Sequence, residues 1–444
     1  MAMWSALLHP LLIAAALLYA PGGLIAIAAR LPVRVVVALA PALSVAVIAG
    51  TGLLAPRLGL TWGVSVVAGA TAIIVLAAIA VRAAHRLTGI LISRRARAAA
   101  QDARDDGAPS DPDGAVPSEE PAPQESAGPS PAPASIGGRV ARCWAAARGP
   151  AEDLGLWIVS AALMLAICAQ FINAPDAFSQ TYDAVYHLNA VRWIIDTGNA
   201  SSVDFDMVVS NGTVYPLGWH TLVVLTMRLS GVTSIPLATN AVMCAVAVLV
   251  WTSGIMMLTG ALTADRRAGR LATAVLASAA PAFPLLGLFW GILYPMFLAT
   301  ALLPGILLTA MAAVAAGTPL PRRVMLWLAA GAGCAGMALA HPSLLVVAAL
   351  VAVAAAAART ASLALAVRTR RDACRAAAAC VLTVLLAAVS WSFAPVLRAS
   401  KDVSRWPPHT SVAGGIGEAV MSAPELTAIV WPLALLVIIG FLAA

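Results

Sequence analysis

Long apolar segments alternate with short polar ones along almost the whole chain. Most of them reach about 18 residues, the length that an α-helix needs to cross a hydrocarbon layer about 30 Å thick. The pattern therefore predicts an all-α protein, a polytopic transmembrane helical bundle of about eleven spans. The last segment ends at the C-terminus without flanking polar residues, as expected of a piece of a longer protein. The segments lie near residues 4–29, 33–54, 60–81, 153–174, 236–263, 271–290, 295–316, 324–340, 343–358, 376–397 and 425–444.

A stretch of different composition interrupts this pattern after the third segment. A basic run from Arg82 to Arg97 comes first, and residues 101–138 then combine Asp, Glu, Pro, Ser, Gly and Ala with few large apolar side chains. Such a composition buries too little apolar surface to offset the entropy of ordering. We expect residues 1–100 to form a three-helix membrane region, 101–138 a disordered cytoplasmic linker, and 139–444 the larger membrane core.

Composition supports a membrane protein and excludes other classes. Apolar residues make up 61% of the chain and charged residues 11%, whereas soluble domains carry roughly 45–50% and about 25%. No water-soluble core of this length could bury so much apolar surface. The net charge of +7 does not indicate a nucleic-acid partner, because the basic residues lie in short clusters between apolar segments.

The distribution of Arg predicts which loops face the cytoplasm, since short cytoplasmic loops are enriched in Lys and Arg. The basic cluster at 265–270 faces the cytoplasm only if residues 216–231 do not form a further span. That stretch is short for a crossing and contains His220 and Arg228. We therefore predict that it is an amphipathic helix on the outer face, within an outer loop that covers residues 175–235.

This outer loop opens with another short helix, which carries polar residues of chemical interest. Apolar residues follow Asp183 at helical spacing, and Gly198 is a typical helix stop. Asp183 then begins the helix, where the helix dipole favours an anion, and His187 lies one turn later on the same face. Two interpretations remain open: Asp183 only caps the helix, or it is a catalytic base or metal ligand just outside the membrane.

The order of these elements resembles the first outer loop of GT-C glycosyltransferases, which use polyprenyl-phosphate sugars. A span is followed by Asp183, by a short helix ending near Gly198, by the segment 214–220, by the amphipathic helix and by a long span ending at Asp265. The resemblance covers residues 153–320 well and the remainder by topology. It implies a multi-pass protein of the plasma membrane whose active site faces the extracytoplasmic side. In particular, the chain looks like the GT-C-type membrane proteins of actinobacteria.

The resemblance also implies roles for acidic residues of the loop. Asp183 would deprotonate the acceptor hydroxyl as a general base, and His187 would orient the acceptor or share a metal ion. Many members of the family carry two adjacent acids in this loop, whereas Ala184 follows Asp183 here. Asp204 or Asp206 would then supply the second carboxylate. A divalent metal ion held by Asp183, His187, Asp204 and Asp206 and a base that needs no metal are both open.

Further aromatic, basic and histidine residues are candidates for binding the substrates. The late loop 398–409 is basic although it faces outward, which favours a lipid-phosphate site held by Arg, with Trp against the sugar. Ordinary headgroup anchoring is the competing interpretation. His341 stands at the outer end of a span, where a polar residue is often functional. The candidate set is Tyr186, Tyr215, Trp219, His220, His341, Arg398, Lys401, Arg405, Trp406 and His409.

The leading function is that of an enzyme that moves a sugar from a polyprenyl-phosphate donor to a glycan, lipid or protein acceptor of the cell envelope. Its partners are the lipid-linked donor, the acceptor and the membrane. A transporter is disfavoured because the predicted spans contain almost no charged residues. A non-catalytic scaffold that keeps the GT-C architecture is the other alternative. The sequence identifies neither the sugar nor the acceptor.

Overall fold

The all-α, multi-pass architecture that the sequence predicts is confirmed. Every regular element in the described residues of the computed structural model is a helix, and ten of these helices are long and apolar enough to cross a membrane. They match the first ten predicted segments in order. The eleventh segment, 425–444, lies mainly outside the described residues. The structure describes residues 2–105, 136–179, 183–205, 214–263, 266–289, 293–315, 317–392, 410–421 and 423, and the single positions 431, 432, 434, 435, 438 and 439.

The helices differ widely in length, and the short ones are concentrated between the fourth and the sixth candidate span. In chain order they are α1 Ala2–Ala28, α2 Val33–Leu54, α3 Val64–Asp105, α4 Ile136–Ile172, α5 Ala184–Thr197, α6 Gly218–Ser230, α7 Ile235–Ala245, α8 Thr252–Leu262, α9 Arg267–Leu276, α10 Leu286–Phe289, α11 Tyr294–Val314, α12 Leu320–Ala340, α13 Ser343–Leu365, α14 Arg370–Ser392 and α15 Val412–Met421. A π-helical stretch, Val246–Trp251, joins α7 to α8 in one span, and a second, Pro281–Leu285, lies between α9 and α10 in the next span, Arg267–Leu288.

The chain divides into two compact units. One comprises Met1–Val75 and Leu156–Ala444, so the N-terminal helices α1 and α2 belong with the later ones; the other comprises Leu76–Gly155. The predicted linker falls mostly on residues 106–135, which lie outside the described residues, and its disorder stays a prediction. Its two ends differ from the prediction, because α3 continues to Asp105 and α4 begins at Ile136. Ala, Arg and Gln near these ends favour helix.

Helix α2 lies at the centre of the larger unit and packs against α1, α6, α8, α11 and α12. Small residues allow this close packing. A Cβ added at Gly305 of α11 would strike the backbone of Ala38, and one added at Gly336 of α12 would strike the backbone of Ala42. Because lipid is as apolar as the side chains, close backbone contact of this kind is a main source of helix association in membranes.

Several connections meet at one end of this unit. Gly198, after α5, would place a Cβ 3.4 Å from Thr61 in the turn after α2. Gly218, the first residue of α6, would place one 2.8 Å from the carbonyl oxygen of Leu339 near the end of α12. The turn after α2 therefore lies next to the end of α5, and the start of α6 lies next to the end of α12. The backbone N–H of Tyr215, before α6, donates to the Ser202 carbonyl after α5 at 2.9 Å, which joins the two contacts. Most of the predicted site residues within the described part of the chain lie here.

Helix α6 is not among the ten apolar helices that could cross a membrane, which agrees with the exclusion of 216–231 from the spans. It differs from the predicted surface helix, however, because residues 218–227 are all buried under α1, α2, α5, α7, α11 and α12. The hydroxyls of Thr221 and Thr226 donate to backbone carbonyls within the helix, so these polar residues are buried at little cost. Only the C-terminal part of α6, with Arg228, is exposed.

Candidate functional site

Asp183 precedes α5 in the N-cap position, as the spacing predicts, and α5 ends at Gly198 in the left-handed conformation with φ 67°. The Asp183 side chain makes no capping hydrogen bond within the described residues, and it is exposed. Asp183 is therefore not explained by capping alone. Its charge reaches Tyr186 and Tyr215, because it contributes to the pKa of both phenols.

His187, one turn into α5, forms a buried pair with His220 of α6. The Nδ1 atom of His187 and the Nε2 atom of His220 are 3.1 Å apart, and the two residues are 3% and 0% exposed. Burial, and second the charge of nearby His341, lower the pKa of His187 to about 4. Burial, and second His187, lower the pKa of His220 as well. Both rings are therefore uncharged at neutral pH, one donating a hydrogen bond and the other accepting it.

The two imidazole nitrogens that do not face each other within the pair, and the indole nitrogen of Trp219, lack hydrogen-bond partners among the described residues. Nε2 of His187, Nδ1 of His220 and Nε1 of Trp219 are buried and have no hydrogen-bond partner among the described residues. Whichever imidazole donates within the pair, one of the two remaining ring nitrogens is a donor and the other an acceptor. An unpaired buried polar atom costs about 1–3 kcal/mol. Three of them in one cluster indicate a place suited to binding a polar group.

Aromatic side chains surround the histidine pair. The Tyr215 oxygen is 3.5 Å from Nδ1 of His187, and Tyr215 is hydrogen-bonded to Tyr186. The rings of Trp219 and Tyr294 are stacked, with centroids 4.9 Å apart and planes 7° apart. The Tyr294 ring also lies 5.6 Å from that of His187. Mostly aromatic walls with a few polar atoms are typical of small-molecule sites.

The two phenols near Asp183 stay protonated over a wide pH range. Burial raises the pKa of Tyr186 to about 12; the hydrogen bond with Tyr215 opposes the shift and the Asp183 charge adds to it. The pKa of Tyr215 is also raised, by burial first and then by Tyr186 and Asp183. Both hydroxyls therefore keep their protons at neutral pH; one O–H donates to the other phenol oxygen, and the second remains available as a donor.

His341 lies at the end of α12, and its Nδ1 atom is 2.6 Å from the Ser343 hydroxyl. It is partly buried, and burial lowers its pKa. Its effect on the pKa of His187 places it near the pair. The structure thus brings Tyr186, His187, Tyr215, Trp219, His220 and His341 together, with Asp183 beside them.

Two residues of this cluster are missed by the sequence analysis. Tyr294 begins α11, and its only signal is the pair Tyr294-Pro295, which repeats the Tyr215-Pro216 pair before α6. Phe205 is 2% exposed and packs edge-on against Tyr186, with centroids 6.3 Å apart. The signal for Phe205 in the sequence is its position between Asp204 and Asp206.

The predicted metal ligands are not shown to meet. Among the residues that the structure describes, no group of three or more His, Cys, Asp or Glu side chains is arranged to hold a metal ion. Asp204 is exposed, and Asp206 lies outside the described residues. A metal ion held by Asp183, His187, Asp204 and Asp206 therefore stays a prediction.

The predicted phosphate-binding loop also falls outside the described part of the chain. It contributes half of the predicted substrate-binding residues, so the donor side of the site stays a prediction. These residues are Arg398, Lys401, Arg405, Trp406 and His409.

The chain belongs to a family described as a family of unknown function, DUF6541, which matches residues 15–444. The match includes every residue of the cluster described above. No curated protein and no solved structure matches the chain.

Proposed function

We propose that this protein is a membrane glycosyltransferase that uses a polyprenyl-phosphate sugar, with Asp183 as the general base. The observation that carries the proposal is the environment of Asp183. Its carboxylate is exposed and makes no capping hydrogen bond within the described residues, and it lies beside a buried aromatic and histidine cluster with unpartnered polar atoms. An accessible carboxylate next to such a pocket suits proton abstraction from a bound hydroxyl.

In the reaction, the acceptor hydroxyl lies within hydrogen-bond reach of Asp183, and its proton passes to the carboxylate. The acceptor oxygen forms a bond to the anomeric carbon of the donor sugar. The bond from that carbon to the phosphate oxygen breaks, and the phosphate leaves with the electron pair. The phenols of Tyr186 and Tyr215 remain protonated, and the O–H that is not used in the bond between them would donate a hydrogen bond to an oxygen of the sugar or the acceptor.

In this proposal the site faces the extracytoplasmic side of the plasma membrane. Support comes from the two ends of α12. Arg322 and Arg323 lie in its first turn, while His341 follows its last residue. The positive-inside rule favours the Arg end as the cytoplasmic one, which leaves the histidine end outside. The basic residues 398–409, on the outer side by the same count, would hold the donor phosphate and stabilise its charge as it leaves.

The test is the change Asp183→Asn, with Asp196→Asn on the same helix as the matched control. Asp196 is exposed and paired with Arg192 at 2.8 Å, so both variants remove one surface carboxylate. The full chain is reconstituted in vesicles with labelled polyprenyl-phosphate sugars and a membrane extract as the acceptor source. Asp183→Asn should lower sugar transfer by about two to four orders of magnitude, while Asp196→Asn keeps it.

The fold should survive both changes, and matching thermal denaturation curves check this. Equal transfer by Asp183→Asn and the unchanged protein would remove Asp183 from the mechanism. Transfer from no donor of the panel, even by the unchanged protein, would favour the scaffold alternative.

A further inference from the structure

An apolar groove of about 400 Å³ lies between α1, α3 and α6. Along α1 it extends from Ile13 to Leu24, and along α3 from Val64 to Val75. The one polar side chain in its lining is Thr71, whose hydroxyl donates to the Val67 carbonyl at 2.8 Å. Its wall therefore offers a bound molecule no free side-chain donor and a single hydroxyl oxygen as acceptor, and it suits a hydrocarbon chain.

The length of the groove corresponds to one leaflet of a bilayer. Eleven residues separate the ends of each wall, which is about 16 Å of α-helix, and half of a hydrocarbon core is about 15 Å. Both walls belong to helices long and apolar enough to cross a membrane. The groove therefore runs along the direction in which a lipid chain extends.

A cation stands at the end of the groove where α3 begins. The Nη1 atom of Arg228 donates to the Trp62 carbonyl at 2.9 Å, and the guanidinium lies 5.8 Å from the centroid of the Trp62 ring. Trp62 is itself buried and bonded to Thr51 at 3.2 Å. The charge is thus held at the level of Gly63, next to Val64 of the groove wall, while the Arg228 side chain stays exposed.

We propose that this groove holds one acyl chain of an anionic phospholipid whose phosphate is bound by Arg228. Arg binds phosphate oxygens through several donors, and only one Arg228 nitrogen is used by the Trp62 carbonyl. A peptide is a poor occupant, because a wall whose one polar side chain is Thr71 leaves most N–H and C=O groups of a peptide backbone unsatisfied. An apolar groove with a cation at one end matches an amphiphile with one negatively charged headgroup.

This lipid site is separate from the proposed sugar-transfer site. Leu229, on the groove wall, follows His220 by nine residues of α6, which is about 13 Å. The two sites thus share α6 but use opposite ends of it. The lipid proposal does not depend on the glycosyltransferase proposal.

The experiment is native mass spectrometry of the purified full chain. The protein is mixed with equal amounts of phosphatidylglycerol and phosphatidylcholine that carry the same acyl chains, and then with a polyprenyl phosphate as competitor. The unchanged protein should retain phosphatidylglycerol about fivefold over phosphatidylcholine, the effect of one Arg near a headgroup. Equal retention of the two phospholipids, or displacement of phosphatidylglycerol by the polyprenyl phosphate, would overturn the proposal.

Two sets of variants distinguish the contribution of the apolar groove to lipid binding from that of the Arg228 charge. Ala68→Phe adds a ring to the α3 wall and should lower retention of both phospholipids, and Ala72→Phe serves if that variant does not fold. Ala352→Phe, on the exposed face of α13, is the control and should change nothing. Arg228→Gln should abolish the preference, Arg228→Lys should keep it, and Arg192→Gln is the charge control. Unchanged retention in both phenylalanine variants, or an unchanged preference in Arg228→Gln, would contradict the proposal.

Discussion

The histidine pair couples the stability of the site to pH. In the folded protein the pKa of His187 is lowered to about 4 by burial and then by His341, and that of His220 is lowered by burial and then by His187. An unfolded His titrates near 6.5. Between these values the unfolded chain binds protons that the folded chain does not, so the free energy of unfolding rises with pH. The stabilisation is complete above about pH 6.5 and is lost as the pH falls toward 4.

We therefore expect the melting temperature of the protein to fall between pH 6.5 and 4.5, and to fall less in His187→Gln. A shift from 6.5 to about 4 corresponds to at most about 3 kcal/mol, so the difference is measurable by thermal denaturation in detergent. His9→Gln, an exposed change on α1, should keep the original pH profile. Identical profiles for His187→Gln and the unchanged protein would show that another group causes the acid sensitivity.

The residues of the site could be predicted only in part. Helical spacing after Asp183 identifies Tyr186 and His187 as residues of the same turn, and both lie in the cluster. The contact between His187 and His220 joins two helices across a loop, and no local pattern gives the path of that loop. Tyr294 is brought in from α11 by tertiary packing, and the Tyr294-Pro295 pair does not by itself show that the residue lies beside α5 and α6.

At the level of the elements, a glycine fixes where α6 begins. A Cβ at Gly218 would lie 2.8 Å from the carbonyl oxygen and 3.0 Å from the carbonyl carbon of Leu339. Both are backbone atoms, which cannot rotate away as a side chain can. Because Trp219 and His220 follow directly, any shift of α6 away from α12 moves the stacked and hydrogen-bonded rings with it.

We predict that Gly218→Ala destabilises the protein by about 1–3 kcal/mol, the usual cost of overpacking, and that it lowers sugar transfer. Gly331→Ala is the matched control, since it lies within α12 and a Cβ there meets nothing within 4 Å. Alanine at position 331 should be neutral or stabilising, because alanine has a higher helix propensity than glycine. Denaturation curves and transfer rates of the two variants decide the matter, and a normal melting temperature for Gly218→Ala would refute the packing argument.

The elements themselves were more predictable than their packing. Ten spans follow from segment length and hydropathy, which are local properties of the sequence. These spans match the described helices in order. Helix α6 shows what these local properties do not determine. Its short length and its polar residues indicate that it does not cross the membrane, but they do not distinguish a helix on a surface from one buried under six others.

At the scale of the whole molecule, Arg residues lie in the first turns of α9, α12 and α14 in the larger unit. Arg322 lies 19 residues before His341 along α12 and the residue that follows it, a distance of about 28 Å, close to the thickness of a hydrocarbon core. Arg267 begins α9, and Arg370 begins α14. Each of these helices starts at the end of the preceding span that is remote from the histidine cluster.

This distribution predicts the orientation of the site in the membrane. If the Arg end is cytoplasmic, a cysteine at position 268 is protected from a membrane-impermeant thiol reagent in intact cells, and a cysteine at position 197, exposed at the end of α5, is labelled. The variants are Ala268→Cys and Thr197→Cys, and the parent chain gives the background from its six native cysteines. Permeabilised cells provide the control that both positions react.

The reverse pattern, labelling at 268 and protection at 197, would place Asp183 and the histidine pair on the cytoplasmic side. The extracytoplasmic site of the proposed glycosyltransferase would then be excluded, while the lipid groove, whose argument does not depend on orientation, would be assigned to the cytoplasmic leaflet.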